Sequence, residues 1–307
     1  MSGPLPTPSP AHDLAEKDRL LRIALLVLIA YLAMMLVPVA RFAFQTGSWS
    51  PLATHAAALV LAVLARSGRL PDALRDWTPL LLGPLLYVEL RWSIPGAGRP
   101  HADALVAMWE SRVFPSDPSR TLAGAWPSVV LSEMLHAAYV SYYALMYVPT
   151  VLLWLRRRHR EFGATVLALV VVYTLCFGIY TLFPVDGPRF LHGPASAPHG
   201  PVRNFVVALL ESGSSRGTAF PSSHVAASLV AAVCALRFSR RLGWVVAVLA
   251  GGLAVGAVYG GYHYAIDIVA GGVTGALAAA VAYGLERRRA SSSGLGGTRA
   301  QNAELSS

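Results

Sequence analysis

Charge is what this chain has least of. Only 13% of its 307 residues are Asp, Glu, Lys or Arg, while 55% are hydrophobic, and the mean hydropathy is +0.51. That balance excludes an ordinary soluble domain. Cysteine is almost missing. Cys176 and Cys234 both fall inside apolar runs, which excludes a disulfide framework and leaves two small buried apolar residues. A removable signal segment is not recognisable either. The first 19 residues are polar and proline-rich, and the apolar run after them continues to about residue 40, as a retained span does. No internal repeat is evident. The net charge of +9 does not point to nucleic acid, because the basic residues cluster between apolar runs and not on one amphipathic face.

The apolar runs are what the chain has in plenty. A helix needs roughly 20 apolar residues to cross a bilayer. Candidate spans lie near 20–40, 51–66, 76–93, 128–155, 162–183, 219–237, 242–260 and 263–285. Basic clusters separate them: Lys17, Arg19 and Arg22; Arg66, Arg69 and Arg75; RRRHR at 156–160; Arg237, Arg240 and Arg241; ERRR at 286–289. Eight spans put all five clusters on one side, which the positive-inside rule makes cytoplasmic. The expected fold is all-α, a polytopic membrane helix bundle of about eight transmembrane helices with a six-helix catalytic core. Residues 1–18 and 286–307 read as disordered cytoplasmic tails, rich in Pro, Ser, Gly and Ala. Residues 19–75 read as two extra N-terminal helices and 76–285 as the catalytic bundle.

The opposite side collects the chemistry. Residues 220–228 read FPSSHVAAS and 260–272 read GGYHYAIDIVAGG. His263 and Asp267, four apart, share one helix face. An ionisable pair in a span needs a partner or a task. An aspartate that accepts from one ring nitrogen leaves the other free as nucleophile or base. Pro221 is expected in the first turn of the sixth span. Ser222, Ser223 and His224 then sit at a helix start whose N–H groups and dipole favour an anion. Arg189, in DGPRF, adds a fork suited to phosphate. Asp186 is its expected partner, with His192 and His199 as bystanders. An anion cradle, two histidines and an orienting carboxylate suit phosphoryl transfer: attack by His263, proton transfer by His224, charge neutralisation by Arg189, Ser222 and Ser223.

FPSSH followed by YHYAIDIVAG resembles the type-2 phosphatidic acid phosphatase superfamily, over roughly residues 76–285. That resemblance implies a lipid phosphatase or phosphotransferase working through a phosphohistidine, with catalytic His263, His224 and Asp267. Departures are specific. Leu182 stands where the first motif has lysine, and Ala257 where the third has arginine. Pro188–Arg189 inverts the usual order, and Ser223 replaces a glycine. Phe-Pro-Ser-x-His with His-Tyr-x-x-Asp-x-x-x-Gly is more similar to the branch containing inositol phosphorylceramide synthase, whose members move phosphorylated headgroups between lipids.

The expectation is therefore an integral enzyme of a bacterial cell membrane, active site on the non-cytoplasmic face, both termini cytoplasmic. Its partners are a lipid substrate and the bilayer, not nucleic acid, and no cofactor or metal is expected. Two rival readings stand beside it: His224, His263 and Asp267 as metal ligands of a hydrolase or transporter, and a non-enzymatic protein retaining the set. Three further expectations concern packing. His136, Tyr139, Ser141, Tyr142 and Tyr143 are expected to hydrogen-bond between helices. Tyr259, Tyr262 and Tyr264 are expected in an interfacial aromatic belt. Gly251, Gly252, Gly271 and Gly272 are expected where helices approach closely.

Overall fold

The computed structural model describes residues 10–304 apart from residue 194, with side chains from 11 to 287. Thirteen helices account for nearly all of it: α1 (Pro10–Thr46), α2 (Ser50–Arg66), α3 (Asp72–Ala97), α4 (Asp103–Val113), α5 (Pro118–Ala125), α6 (Val129–Val140), α7 (Tyr142–Leu155), α8 (His159–Leu182), α9 (Pro188–His192), α10 (Pro201–Gly213), α11 (Ser223–Phe238), α12 (Arg240–Tyr259) and α13 (Ala265–Glu304). Helix dominates because the apolar runs can satisfy their backbone groups only internally once water is excluded.

All eight expected spans are helical. Four helices, α1, α8, α12 and α13, are long and apolar enough to cross a bilayer. A fifth arises if α6 and α7, bent by 44° at Ser141, count as one span. These helices mark an integral membrane protein. The other expected spans fall short for visible reasons. α2 and α11 have 17 and 16 residues, and α3 carries Asp76, Glu89 and Arg91 along its length.

The N-terminal boundary differs from expectation. α1 begins at Pro10, so residues 10–18 are helix, and Glu16 and Lys17 are buried. Lys17 reaches Asp76 at 2.8 Å, which fixes this turn against α3. Residues 1–9 lie outside the described residues. At the other end, α13 continues as helix through 286–304.

The basic clusters do meet at one end of the bundle. Arg75 pairs with Asp18 at 3.0 Å and Arg237 with Glu286 at 2.7 Å. Arg19 and Arg160 donate to the backbone oxygens of Leu285 and Glu286. α8 is the central post, most of its residues buried, with α1, α3, α11 and α13 packed around it. α11 runs from His224 to the Arg237 end, and α13 from Asp267 to the Glu286 end. Both histidine-bearing starts therefore lie at the end opposite the basic ring.

Close helix approach depends on particular glycines. A Cβ on Gly271 would lie 2.4 Å from the Ser222 backbone oxygen, and one on Gly275 2.4 Å from that of Ala226, so both let α13 contact α11. Gly252 faces Ala138 and Gly256 faces the backbone of Leu135. Gly251 and Gly272 face open space, against expectation. The tyrosine expectation also changes. Tyr259, Tyr262 and Tyr264 are all buried, not arrayed at a lipid interface.

Candidate active site

The strand-like loop before α11 sets the site. Val185 and Thr218 form an isolated parallel bridge, with Ala219 N–H donating to Val185 O at 2.8 Å. This clips the DGPRF segment against the chain leading to FPSSH. Asp103 holds the same corner: its carboxylate accepts the N–H groups of Asp186 and Gly187, each at 3.0 Å. Gly187 has φ +89°, a conformation that glycine adopts without strain.

Ser222 is the N-cap of α11, accepting from Val225 N–H at 3.4 Å, and Pro221 precedes the helix instead of lying in its first turn. The Ser222 N–H donates to the Asp267 backbone oxygen at 3.0 Å, which ties the start of α11 to α13. Tyr180 bridges the same point, donating to Pro221 O at 2.7 Å and accepting from Ser223 N–H at 3.1 Å. The helix start is thus largely capped by protein groups. Ser222 and Ser223 are buried and do not line the adjoining cavity; Ser222 approaches it through His263.

His263 lies in the turn between α12 and α13. Its Nδ1 is 3.3 Å from Asp267 Oδ2, and its Nε2 is 3.4 Å from Ser222 Oγ. Asp267 is fully buried; Oδ2 also accepts Tyr264 N–H at 2.9 Å, and Oδ1 has no hydrogen-bond partner among the described residues. An Nδ1–H donated to Asp267 leaves the Nε2 lone pair for chemistry. Burial pushes the His263 pKa down to about 4, with the nearby Arg189 charge acting the same way and a backbone contact to Ala219 opposing it.

His224 faces it. The two imidazole centroids are 6.2 Å apart. Tyr139 stacks on His224 at 5.5 Å and Tyr142 packs at 4.3 Å, while Tyr142 also bonds Tyr173 at 2.9 Å. These rings fix the His224 plane, and among the described residues neither of its ring nitrogens has a hydrogen-bond partner. His136 and Ser141 instead bond backbone oxygens of their own helix, and Tyr143 is half-exposed.

A small cavity of about 30 Å³ lies between the histidines, with Arg189, Ser214, Asp186 and Tyr262 on its walls. It holds about two waters, so a phosphoryl group enters only as the loop side chains move outward. Arg189 donates to Ser214 Oγ, not to Asp186 as the sequence suggested. Asp186 pairs with Arg216, Nε at 3.0 Å, accepts Gly217 N–H at 2.8 Å and faces His101 Nδ1 at 3.0 Å. His192 is exposed; His199 is engaged by Arg203 at 2.9 Å.

Asp103, Glu110, Tyr180 and Arg216 escaped the sequence reading. Glu110 caps the start of α13, accepting Ala265 and Ile266 N–H at 3.0 and 2.8 Å. Burial raises its pKa above the ordinary carboxylate value, and the two amide bonds oppose that shift. The one available signal was an acid within the otherwise apolar ALVAMWE run of α4.

The metal alternative fits poorly. His224, His263 and Asp267 do not converge their ligand atoms; the one group that does, among the described residues, is His101, Asp103 and Asp186. There the aspartate oxygens already accept backbone N–H groups and Arg216.

No curated protein and no solved structure matches the chain. Residues 120–282, more than half of it, match a family model described as PAP2 superfamily, and that stretch contains Arg189, His224, His263 and Asp267. The chain belongs to the PAP2 superfamily.

Proposed function

We propose that the protein is a membrane enzyme that moves a phosphoryl group, or a phosphorylated headgroup, from a lipid through a phosphohistidine on His263. The observation that carries this is the chain Asp267–His263–Ser222, with His224 across the cavity and Arg189 on its wall. Nε2 of His263 attacks phosphorus as the bond to the leaving alkoxide breaks, and His224 gives that alkoxide a proton. His224, now neutral, takes a proton from water or an acceptor alcohol. The oxygen so activated attacks phosphorus, the N–P bond breaks, and His263 regains its lone pair. Asp267 holds the ring throughout, and Arg189 offsets charge on the equatorial oxygens. The steps draw on protein side chains alone.

Of the two outcomes, headgroup transfer has one supporting observation. Among the described residues, Arg189 is the one Arg or Lys lining the histidine cavity. One guanidinium suits a monoanionic phosphodiester better than a dianionic monoester, and the resemblance to the inositol phosphorylceramide synthase branch supports transfer as a reaction type without fixing the headgroup. The reading keeps eight membrane helices and a site on the non-cytoplasmic face of a bacterial cell membrane; the basic ring at the opposite end supports that orientation. A panel of lipid phosphates, diphosphates and phosphodiesters in detergent tests the reading. Inorganic phosphate release identifies a hydrolase and a new lipid product a transferase. Full activity in His263→Ala rules the mechanism out.

A further inference from the structure

Beside the histidine cavity lies a larger one of about 330 Å³, at the end of the bundle opposite the basic ring. Arg189, Leu210, Ser214 and Tyr262 line both spaces, so the two are neighbouring compartments of one depression. Two more guanidiniums, Arg203 and Arg216, line the larger one and not the histidine cavity, Arg216 standing between it and a further cleft bordered by His101 and Asp186. Arg203 comes from the first turn of α10, whose backbone is held by Glu133 accepting Val202 and Arg203 N–H at 2.9 and 3.0 Å. Arg189 and Arg216 flank the same Phe190 ring, at 4.4 and 5.3 Å from its centroid.

The charges do not balance. Arg216 has Asp186, but among the described residues Arg189 and Arg203 form no ion pair. Arg203 is only 6% exposed, and its partners, His199 Nδ1 at 2.9 Å and Ala195 O at 3.2 Å, include no carboxylate. A buried guanidinium without a counter-charge is costly, and three of its five N–H donors remain. Glu211, the one carboxylate on the wall, is exposed and bonds none of the three.

We infer that the larger compartment binds a second anionic group of the substrate, one beyond the phosphorus that reacts at His263. This rests on the proposed reaction and narrows its substrate class. A neutral sugar or polyol headgroup would leave Arg203 as it is; a phosphate or carboxylate engages its fork and that of Arg216 in bidentate fashion. The space is of ligand-pocket size, whereas the histidine cavity is not. The substrate is therefore a lipid with a diphosphate, or with a headgroup carrying its own acid, and the two differ in the spacing between anions.

The test reads binding without turnover. His263→Ala protein in detergent is titrated calorimetrically with inorganic orthophosphate, pyrophosphate and propane-1,3-diol bisphosphate. At least tenfold tighter binding of either two-anion probe than of orthophosphate is expected. Pyrophosphate preferred assigns a diphosphate, and the bisphosphate preferred assigns an acidic headgroup. Adding Arg203→Gln abolishes the preference, while Arg203→Lys retains part of it and serves where the Gln variant fails to fold. Equal affinity for all three probes, no binding of any, or a preference that survives Arg203→Gln overturns the inference. Because no turnover is measured, that failure leaves the His263 reaction standing, and an inactive parent enzyme would leave the compartment standing.

Discussion

The His224 and His263 imidazoles face each other across 6.2 Å between ring centroids, one on the first turn of α11 and the other in the turn before α13. Once the loop side chains move outward, a phosphorus centre has room between them, with attack from one side and proton delivery from the other. The two variants are therefore expected to fail differently. An aryl phosphate, whose leaving group needs no proton, should give His224→Ala a burst of one equivalent of phenol and an acid-labile phosphoprotein. His263→Ala should give neither. Stopped-flow release and phosphate labelling check this, and a burst from His263→Ala removes the nucleophile assignment.

Asp267 touches no cavity wall, so its effect passes through the His263 ring. Asp267→Asn keeps the shape and an oxygen for Tyr264 N–H but weakens the hold on Nδ1–H. A fall in kcat of about 10²–10⁴-fold is expected, the range for a disturbed acid–base group. KM should change little. Steady-state kinetics with a thermal melt separate this from unfolding; unchanged kcat in folded protein argues that the pair is only a helix clamp.

Arg189 supplies positive charge in the histidine cavity and, among the described residues, forms no ion pair. Losing a hydrogen bond to a charged group costs about 1.5–3 kcal/mol, so Arg189→Gln should lower kcat/KM by roughly ten- to a hundredfold. Arg189→Lys should recover only part, because the ammonium lacks the fork. Full recovery by Lys would show that charge alone matters there.

Much of this was legible in the sequence, for identifiable reasons. Apolar run length announces helices, and the basic clusters announce which ends meet, as the Arg237–Glu286 and Lys17–Asp76 contacts bear out. The spacing of four between His263 and Asp267 forces them onto one face wherever the helix lies. Partners made by loops carry no such period. Whether Asp186 takes Arg189 or Arg216 depends on how residues 184–218 fold back along the Val185–Thr218 bridge. Nothing local in the chain says that Glu110, 155 residues upstream, caps α13. Likewise, an aromatic turn reads the same whether it faces lipid or, as Tyr262 does, the site.

The low pKa of His263, about 4, makes it neutral at physiological pH. With a phosphodiester substrate, whose own charge is constant there, the acid limb of kcat/KM due to this group should fall near pH 4, not at the ordinary histidine value near 6.5. Stability follows the same sign. The unfolded chain binds the proton more readily, so this group's contribution is complete above about pH 6.5 and declines as pH falls toward 4. A nucleophile limb centred near 6.5 would mean that the ring is better hydrated than its burial indicates.

Adjacent glycines of α13 give the sharpest structural contrast. A methyl group on Gly271 would lie 2.4 Å from the backbone oxygen of Ser222, whose N–H is bonded to Asp267 O. A methyl group on the neighbouring Gly272 would meet nothing within 4 Å beyond its own helix among the described residues. Gly271→Ala should therefore push α11 from α13, costing about 1–3 kcal/mol as overpacking does. It should also lower kcat, because the Ser222 cap and the Asp267–His263 pair shift together. Gly272→Ala should match or slightly exceed the parent in thermal stability, since alanine favours helix. Melting curves and kcat for the pair, in one detergent, check this. Equal behaviour of the two variants would mean that α11 and α13 do not approach at Gly271, and with that contact would go the geometry that sets His224 opposite His263.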